Sequence, residues 1–249
     1  MRINGSVFED FPFILSAETA EGKYVLLKIL KISGEATSLD IRKQDIAYES
    51  DASRFIHEAI VPMERRSISI DMEIARAANC SAGIINVLVM PWYQCTLNKV
   101  PSGNRNRVAT EGRKLLSALQ YIHSEGVIHL DVKAMNVFID SNTGAWHLGD
   151  FGSCKPIGQK ITSSTFQFYF EEMAFTPAHP KHDYFMLLVL LLIEGLDNRH
   201  DYSRLFYETN AQFVDYSKVM VFIREQVIPE DSIYAKLVKD VIELFKSKS

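Results

Sequence analysis

Apolar positions recur along this chain with two different periods, and the switch between them divides it. In the first third, Phe11 to Ala17 and Lys23 to Leu30 are short runs rich in β-branched and aromatic residues, which predicts two strands. The polar stretch Glu18 to Gly22 between them reads as a turn, so the pair is a hairpin. From Ala52 to Arg66, Phe55, Ile56, Ala59, Ile60 and Met63 recur at helical spacing and predict a helix, bent or ended at Pro62. Ile70 to Ala78 reads as a second helical piece, and Ile84 to Met90 as a buried strand stopped by Pro91. Beyond Tyr93 the helical period dominates. Arg107 to Glu125 is an amphipathic helix with Leu115, Leu116, Leu119 and Ile122 on one face and Gly126 closing it. Val137 to Asp140 and Ala145 to Leu148 are short strands around the turn Ser141 to Gly144. Helices follow at Asp183 to Glu194, Asn210 to Glu225 and Ser232 to Lys246. A strand-rich part followed by a helix-rich part predicts an α+β chain of two lobes, 1–93 and 94–249.

Composition narrows the partners. Of the 249 residues 47% are hydrophobic and 23% charged, as in ordinary globular domains, and the net charge of -4 with no basic tract argues against nucleic acid and anionic membrane. The cysteines, Cys80, Cys95 and Cys154, are scattered and lack metal-site spacing, which points to a reducing compartment inside the cell, the cytoplasm. Met1 to Ser6 has no apolar signal core, and the run Phe185 to Ile193 is too short to span a bilayer, so no membrane partner is expected.

The chemistry concentrates between Val127 and Gly152. Asp131, Lys133 and Asn136 lie in a short polar loop between the amphipathic helix and the second hairpin, and Asp150-Phe151-Gly152 follows that hairpin. A hairpin returns its second strand to the start of its first, so Asn136 and Asp150 become neighbours. They are two oxygen donors suited to a hard cation such as magnesium. Asp131 can accept a hydroxyl proton beside them, and Lys133 can neutralise charge on a phosphoryl group in transfer. The plain alternative is a core histidine at 129 with solvated surface acids.

The pattern His-x-Asp-x-Lys-x-x-Asn followed by Asp-Phe-Gly resembles the catalytic and metal-binding loops of eukaryotic-type protein kinases. Other segments resemble that family in the same order. Val25 to Lys28 is similar to the strand whose lysine holds the nucleotide's α- and β-phosphates. Leu88 to Tyr93 is similar to the segment joining the lobes, with Met90 as gatekeeper, Pro91 offering a carbonyl and Tyr93 an N–H to adenine. Glu58 looks like the helix glutamate that pairs with the lysine, although its spacing from Lys28 is long and Glu49, Glu64 and Glu73 are rivals. Thr165 and Glu172 match the end of an activation segment, and Asp183 matches a buried aspartate that tethers the catalytic loop. The resemblance implies a small β-rich lobe and a larger helical one, with ATP and Mg²⁺ or Mn²⁺ between them. It implies transfer of the γ-phosphoryl group to a serine or threonine hydroxyl of a protein substrate. Asp131 and Lys133 would be catalytic, Lys28, Glu58, Met90, Pro91 and Tyr93 would serve ATP, and Asn136 and Asp150 would hold the metal.

The chain also departs from the family. Asn4 to Asp10, ahead of the first strand, holds a single glycine where the family has a glycine-rich phosphate loop. Leu130 stands where an arginine commonly pairs with a phosphorylated activation loop, so activity is expected not to depend on such phosphorylation. Arg199 and Arg204 are candidates for the arginine that pairs with Glu172. Cys154 reads either as a cleft thiol or as a small buried filler. An active kinase, a pseudokinase scaffold and a small-molecule phosphotransferase all fit the loop. Lys133 with Asp-Phe-Gly favours a protein kinase.

Overall fold

The computed structural model describes residues 1–6, 14–30, 46–77, 82–161, 171–174, 176–199, 214–227 and 231–247. The chain forms two compact units, one of residues 1–56 and 61–93 and one of residues 57–60 and 94–249.

The first unit is built on an antiparallel sheet of β1 (Arg2–Ser6), β2 (Ile14–Glu18), β3 (Tyr24–Ile29), β4 (Glu64–Ile70) and β5 (Gly83–Pro91), in the order β1-β2-β3-β5-β4. The β2–β3 turn closes with Thr19 N–H donating to the Lys23 carbonyl at 2.8 Å, and Gly22 takes a φ of 76° there. Side chains alternate across the sheet. Leu15, Ala17, Leu27, Ile29 and Val87 form the core on one face, joined by Ile74 of the short helix α2 (Met72–Ala77). Lys28 opposes Leu88, and Leu26 opposes Met90, which puts these four on the other face. Helix α1 (46–51) lies before a single 3₁₀ turn, Ala52–Arg54.

The helix expected over Ala52 to Arg66 does not form. Ala52–Arg54 makes one 3₁₀ turn, the chain then runs without helix, and Glu64 already begins β4. Phe55, Ala59 and Ile60 are buried, so their spacing reflects an irregular segment pressed into a core, and Pro62 withholds the N–H a helix would need. The strand at 84–90 is also less buried than its composition implies, for Ile84 is 81% exposed. Phe11 to Phe13 and Ala78 lie outside the described residues.

The second unit is helical. Helix α3 (Arg105–Ser124) is capped by Asn104, whose side chain accepts from Arg107 N–H, and Gly126 ends it with a φ of 79°. It packs on α5 (Pro180–Glu194) and on the amphipathic α7 (Ile233–Lys246), which follows α6 (Tyr216–Phe222). Gly112 permits the close crossing, since a Cβ there would come within 2.5 Å of Leu191. Helix α5 is buried from His182 to Glu194, so its apolar run is the centre of this unit. Two short sheets accompany the helices: β7 (Val127–Ile128) pairs with β10 (Lys155–Pro156), and β6 (Cys95–Thr96) pairs with β8 (Val137–Ile139), which pairs with β9 (Trp146–Leu148). Residues 57–60 belong here because Leu148 N–H donates to the Ala59 carbonyl at 2.8 Å and Ile60 bridges to Leu148. Among the described residues no helix is long and apolar enough to cross a membrane.

Candidate active site

The loop between β7 and β8 is held from below by α5. Both oxygens of Asp183 accept backbone N–H groups at 2.8 Å, Oδ2 from His129 and Oδ1 from Leu130. His123 Nε2 lies 2.8 Å from the same Oδ2. Burial opposes the charge on Asp183, but the hydrogen bond and charge of His123 and the backbone N–H groups outweigh it and hold the carboxyl below its ordinary range. One turn on, Met186 Sδ sits 3.4 Å from Val132 N. These tethers stabilise a backbone that L-residues otherwise avoid: Leu130 has a φ of 65°.

His129 ties the loop to the segment after β9. It is fully buried, its Nδ1 accepts from Asp131 N–H at 3.2 Å, and its Nε2 therefore carries the hydrogen donated to the Gly149 carbonyl at 3.1 Å. Its ring meets Phe151 edge to face at 4.7 Å. The hairpin closes as its spacing predicts, with Val137 opposite Leu148 and Gly149 N–H donating to the Asn136 carbonyl at 2.9 Å. Asn136 and Asp150 thus sit one residue apart across the hairpin's open end. Asp150 takes a φ of 57°, and Leu130 and Asp150 are the two non-glycine residues with positive φ among those described.

Two side chains converge on one carboxylate oxygen. Lys133 Nζ lies 2.9 Å from Asp131 Oδ2, and Asn136 Nδ2 donates to the same atom at 2.8 Å and to the Asp131 carbonyl at 2.9 Å. Two acceptors facing one amide nitrogen fix the orientation of the Asn136 side chain, which turns its Oδ1 to the other side as an oxygen donor. Asp131 and Asn136 are each 6% exposed, whereas Asp150 is exposed. The amide oxygen and the carboxylate are a donor set that fits a magnesium ion, which takes oxygen ligands and keeps several waters.

In the first unit Lys28 is paired, but not with Glu58. Its Nζ meets Glu49 Oε1 of α1, and both side chains are mostly buried. Glu58 is an exposed turn residue in the part of the chain that belongs to the second unit. The expected helix around Glu58 does not exist, so no helix face presents it to the strand. The long Lys28–Glu58 spacing was the available signal for Glu49, which lies nearer in sequence. Met90 is half-buried opposite Leu26, Pro91 is the exposed last residue of β5 opposite Val25, and Tyr93 is half-buried.

Other expectations divide. Arg199 pairs with Glu194, and Glu172 is exposed on α4 (Glu171–Ala174). Cys154 is 2% exposed, the buried-filler reading. Thr165 and Arg204 lie outside the described residues. Met135, within the 3₁₀ turn Ala134–Asn136, is 60% exposed and drew no notice from the sequence.

The chain is 35% identical over 105 residues to the serine/threonine-protein kinase US3 of human herpesvirus 1, covering 40% of this chain and 19% of that protein. It is 43% identical over 76 residues to the US3 homolog of gallid herpesvirus 2, covering 27% of this chain and 18% of that one. It is 47% identical over 45 residues to the serine/threonine-protein kinase mos of Patiria pectinifera, covering 18% of this chain and 13% of that one. The matches thus span about a fifth or less of these relatives' length. The structure of the Cydia pomonella granulovirus kinase PK-1 superposes with a TM-score of 0.51 at 15% identity, over 71% of this chain and 61% of that one, a likeness of fold. The model of the protein kinase domain matches residues 17–178, well over half the chain, and on that match the chain belongs to the protein kinase domain family.

Proposed function

We propose that this chain is an ATP-dependent serine/threonine protein kinase that transfers the γ-phosphoryl group to a hydroxyl of a protein substrate. The observation that carries the reading is the Asp131 carboxylate, oriented through Oδ2 by both Lys133 and Asn136. The Asp131 carboxylate would accept the proton of the substrate hydroxyl. Lys133 keeps its ammonium at this spot, where it offsets negative charge on a phosphoryl group in transfer. Asn136 Oδ1 and the Asp150 carboxylate would hold the divalent ion, and Lys28, steadied by Glu49, would hold the phosphates of ATP. Bound Mg²⁺·ATP supplies the phosphoryl group and neutralises its charge. Backbone groups of Pro91 and Tyr93 would read adenine, with Met90 beside them.

Transfer of radiolabel from ATP to a mixed protein substrate, with Mg²⁺ or Mn²⁺, tests the proposal. Asp131→Ala should abolish transfer while the thermal melt stays cooperative. A well-folded wild-type protein that transfers nothing would reject the reading. The single glycine in Asn4 to Asp10 favours a second reading, a pseudokinase scaffold. That reading requires no transfer, with or without a thermal shift from Mg²⁺·ATP.

A further inference from the structure

Strand β9 leads directly into the Asp150 turn, and it lies at the edge of its sheet, whose order is β6-β8-β9. Its outward N–H groups therefore have no strand to receive them. Two other acceptors take that place. The Ala59 carbonyl accepts from Leu148 N–H at 2.8 Å, and Glu111 Oε2 of α3 accepts from Trp146 N–H at 3.0 Å. Trp146 is 2% exposed, so without Glu111 its N–H would be buried away from water with no acceptor. Glu111 is itself buried, and its other oxygen meets Lys114 Nζ at 3.0 Å. One turn earlier on the same face of α3, Arg107 Nη2 donates to the Gly144 carbonyl in the hairpin's turn at 2.8 Å. The helix thus grips the hairpin both at its tip and along its outer edge. A carboxylate on a buried helix face is costly unless both oxygens are used, and here one of them is spent on placing β9.

The consequence falls at the hairpin's open end. Asn136 is fixed by Asp131, to whose carbonyl and carboxylate its amide donates. Asp150 hangs from β9, with a φ of 57° that its surroundings must enforce. Its place relative to Asn136 is therefore set by where β9 lies. Trp146 is four residues from Asp150, at most about 13 Å of extended chain. The register that sets Val137 opposite Leu148 passes a shift of β9 on to that end.

We propose that Glu111 is a positioning residue for the metal-holding pair, fixing the spacing of Asn136 and Asp150 through the Trp146 N–H. The proposal rests on the reading of those two residues as ligands of the divalent ion. What β9 requires is an acceptor, not a charge, so glutamine can replace Glu111 and leucine cannot.

The test compares wild type, Glu111→Gln and Glu111→Leu, and its main readout needs no turnover. Affinity for Mn²⁺·ATP is measured by water-proton relaxation, and affinity for ATP without metal by calorimetry. Glu111→Leu should bind Mn²⁺·ATP about tenfold more weakly and metal-free ATP within about twofold of wild type. Glu111→Gln should stay within about twofold of wild type in both. Transfer to a mixed protein substrate runs alongside. In Glu111→Leu the Mg²⁺ concentration for half-maximal rate should rise about tenfold, with the rate at saturating Mg²⁺ within about twofold. A Glu111→Leu protein that matches wild type toward Mn²⁺·ATP overturns the proposal, and so does one that loses metal-free ATP equally, which is a structural effect. Glu111→Gln as weak as Glu111→Leu overturns it too. If Glu111→Leu does not melt cooperatively, the wild type decides by reciprocity. Mn²⁺·ATP should then slow hydrogen exchange of the Trp146 amide by about threefold or more relative to ATP alone, and unchanged exchange overturns the proposal. Absence of transfer by a wild type whose Mn²⁺·ATP affinities follow this order rejects the kinase reading alone. A wild type that does not bind Mn²⁺·ATP removes the metal site and this proposal with it.

Discussion

Asp183 shows how one buried charge sets a catalytic loop. A carboxylate with no exposure is costly unless its lone pairs are used, and here they receive two backbone N–H groups and lie beside His123. Asp183→Asn keeps the shape but turns one acceptor oxygen into a donor facing a donor. The expected loss is about 3 kcal/mol, or a fall in Tm of roughly 6–12 °C for a chain of this size. A calorimetric Tm within 2 °C of wild type would contradict it. The same residue gives a pH dependence. Its folded pKa lies below its ordinary value, so near that value the unfolded chain binds the proton first. Its contribution is complete above about pH 4 and drains away as the pH falls further toward the folded pKa. Wild type should therefore lose Tm more steeply than Asp183→Asn below about pH 4. Lys28 supplies the matching case at the other site. Glu49→Gln should lower kcat/KM for transfer by roughly 10- to 100-fold, and Glu58→Gln should leave it within about twofold, since an exposed turn carboxylate has little to lose. Steady-state kinetics that rank the two the other way would restore Glu58 as the partner.

Among the elements, those with a strong period of their own were legible. The stripe Leu115, Leu116, Leu119 and Ile122 specifies α3, and all four are buried. The turn residues Ser141 to Gly144 specify the β8–β9 hairpin, where Asp140 Oδ1 accepts from Asn142 and Thr143 N–H groups. The site residues that hang from this hairpin were legible for the same reason, because Asn136 and Asp150 follow from its closure. The misread segment 52–66 had helical spacing but no helical partner surface. Its apolar residues go to different neighbours, with Ile60 on β9 and residues 64 onward pairing with β5. Tertiary contacts decided that segment, and no local pattern reports them. Glu49 stood only as a rival to Glu58, since the described part of its helix, residues 46–51, is too short to show a period. The entry to the activation segment shows a third outcome. Leu130, fully buried, packs with Ile128, Ala178 and Ile161 in an apolar cluster. Where an arginine would await a phosphate, carbon packing ties this segment to the loop. Phosphatase treatment should thus change the transfer rate by less than about twofold. A clear gain on phosphorylation of Ser163, Ser164 or Thr165 would show that charge controls the segment after all.

At the scale of the molecule, the boundary between units does not follow the chain. Residues 57–60 leave the strand-rich part, join the helical unit, and return at Val61 to begin the approach to β4. They are held there by several independent contacts. His57 Nε2 lies 3.2 Å from Ser117 Oγ, its ring stacks on Tyr121 at 5.8 Å, and its Nδ1 accepts from Ala59 N–H at 3.1 Å. Ala59 and Ile60 are 1% and 2% exposed, so this short piece is core to the helical unit although all the rest of the unit lies after residue 93. Its stability must then depend on a residue that the primary structure assigns to the other part. Ile60→Ala removes three buried carbons and should cost about 2–4 kcal/mol. Because the Ala59 carbonyl receives the Leu148 N–H, the loss should be read locally by hydrogen exchange. The Leu148 amide and the α3 amides near Ser117 and Tyr121 should exchange about tenfold faster or more, while amides paired between β2 and β3 keep their protection. If Leu148 and α3 stayed as protected as in wild type while the β2–β3 amides opened, residues 57–60 would have to be reassigned to the sheet unit. The continuity of β9 with Asp150 would then lack the support that Ile60 provides beneath it.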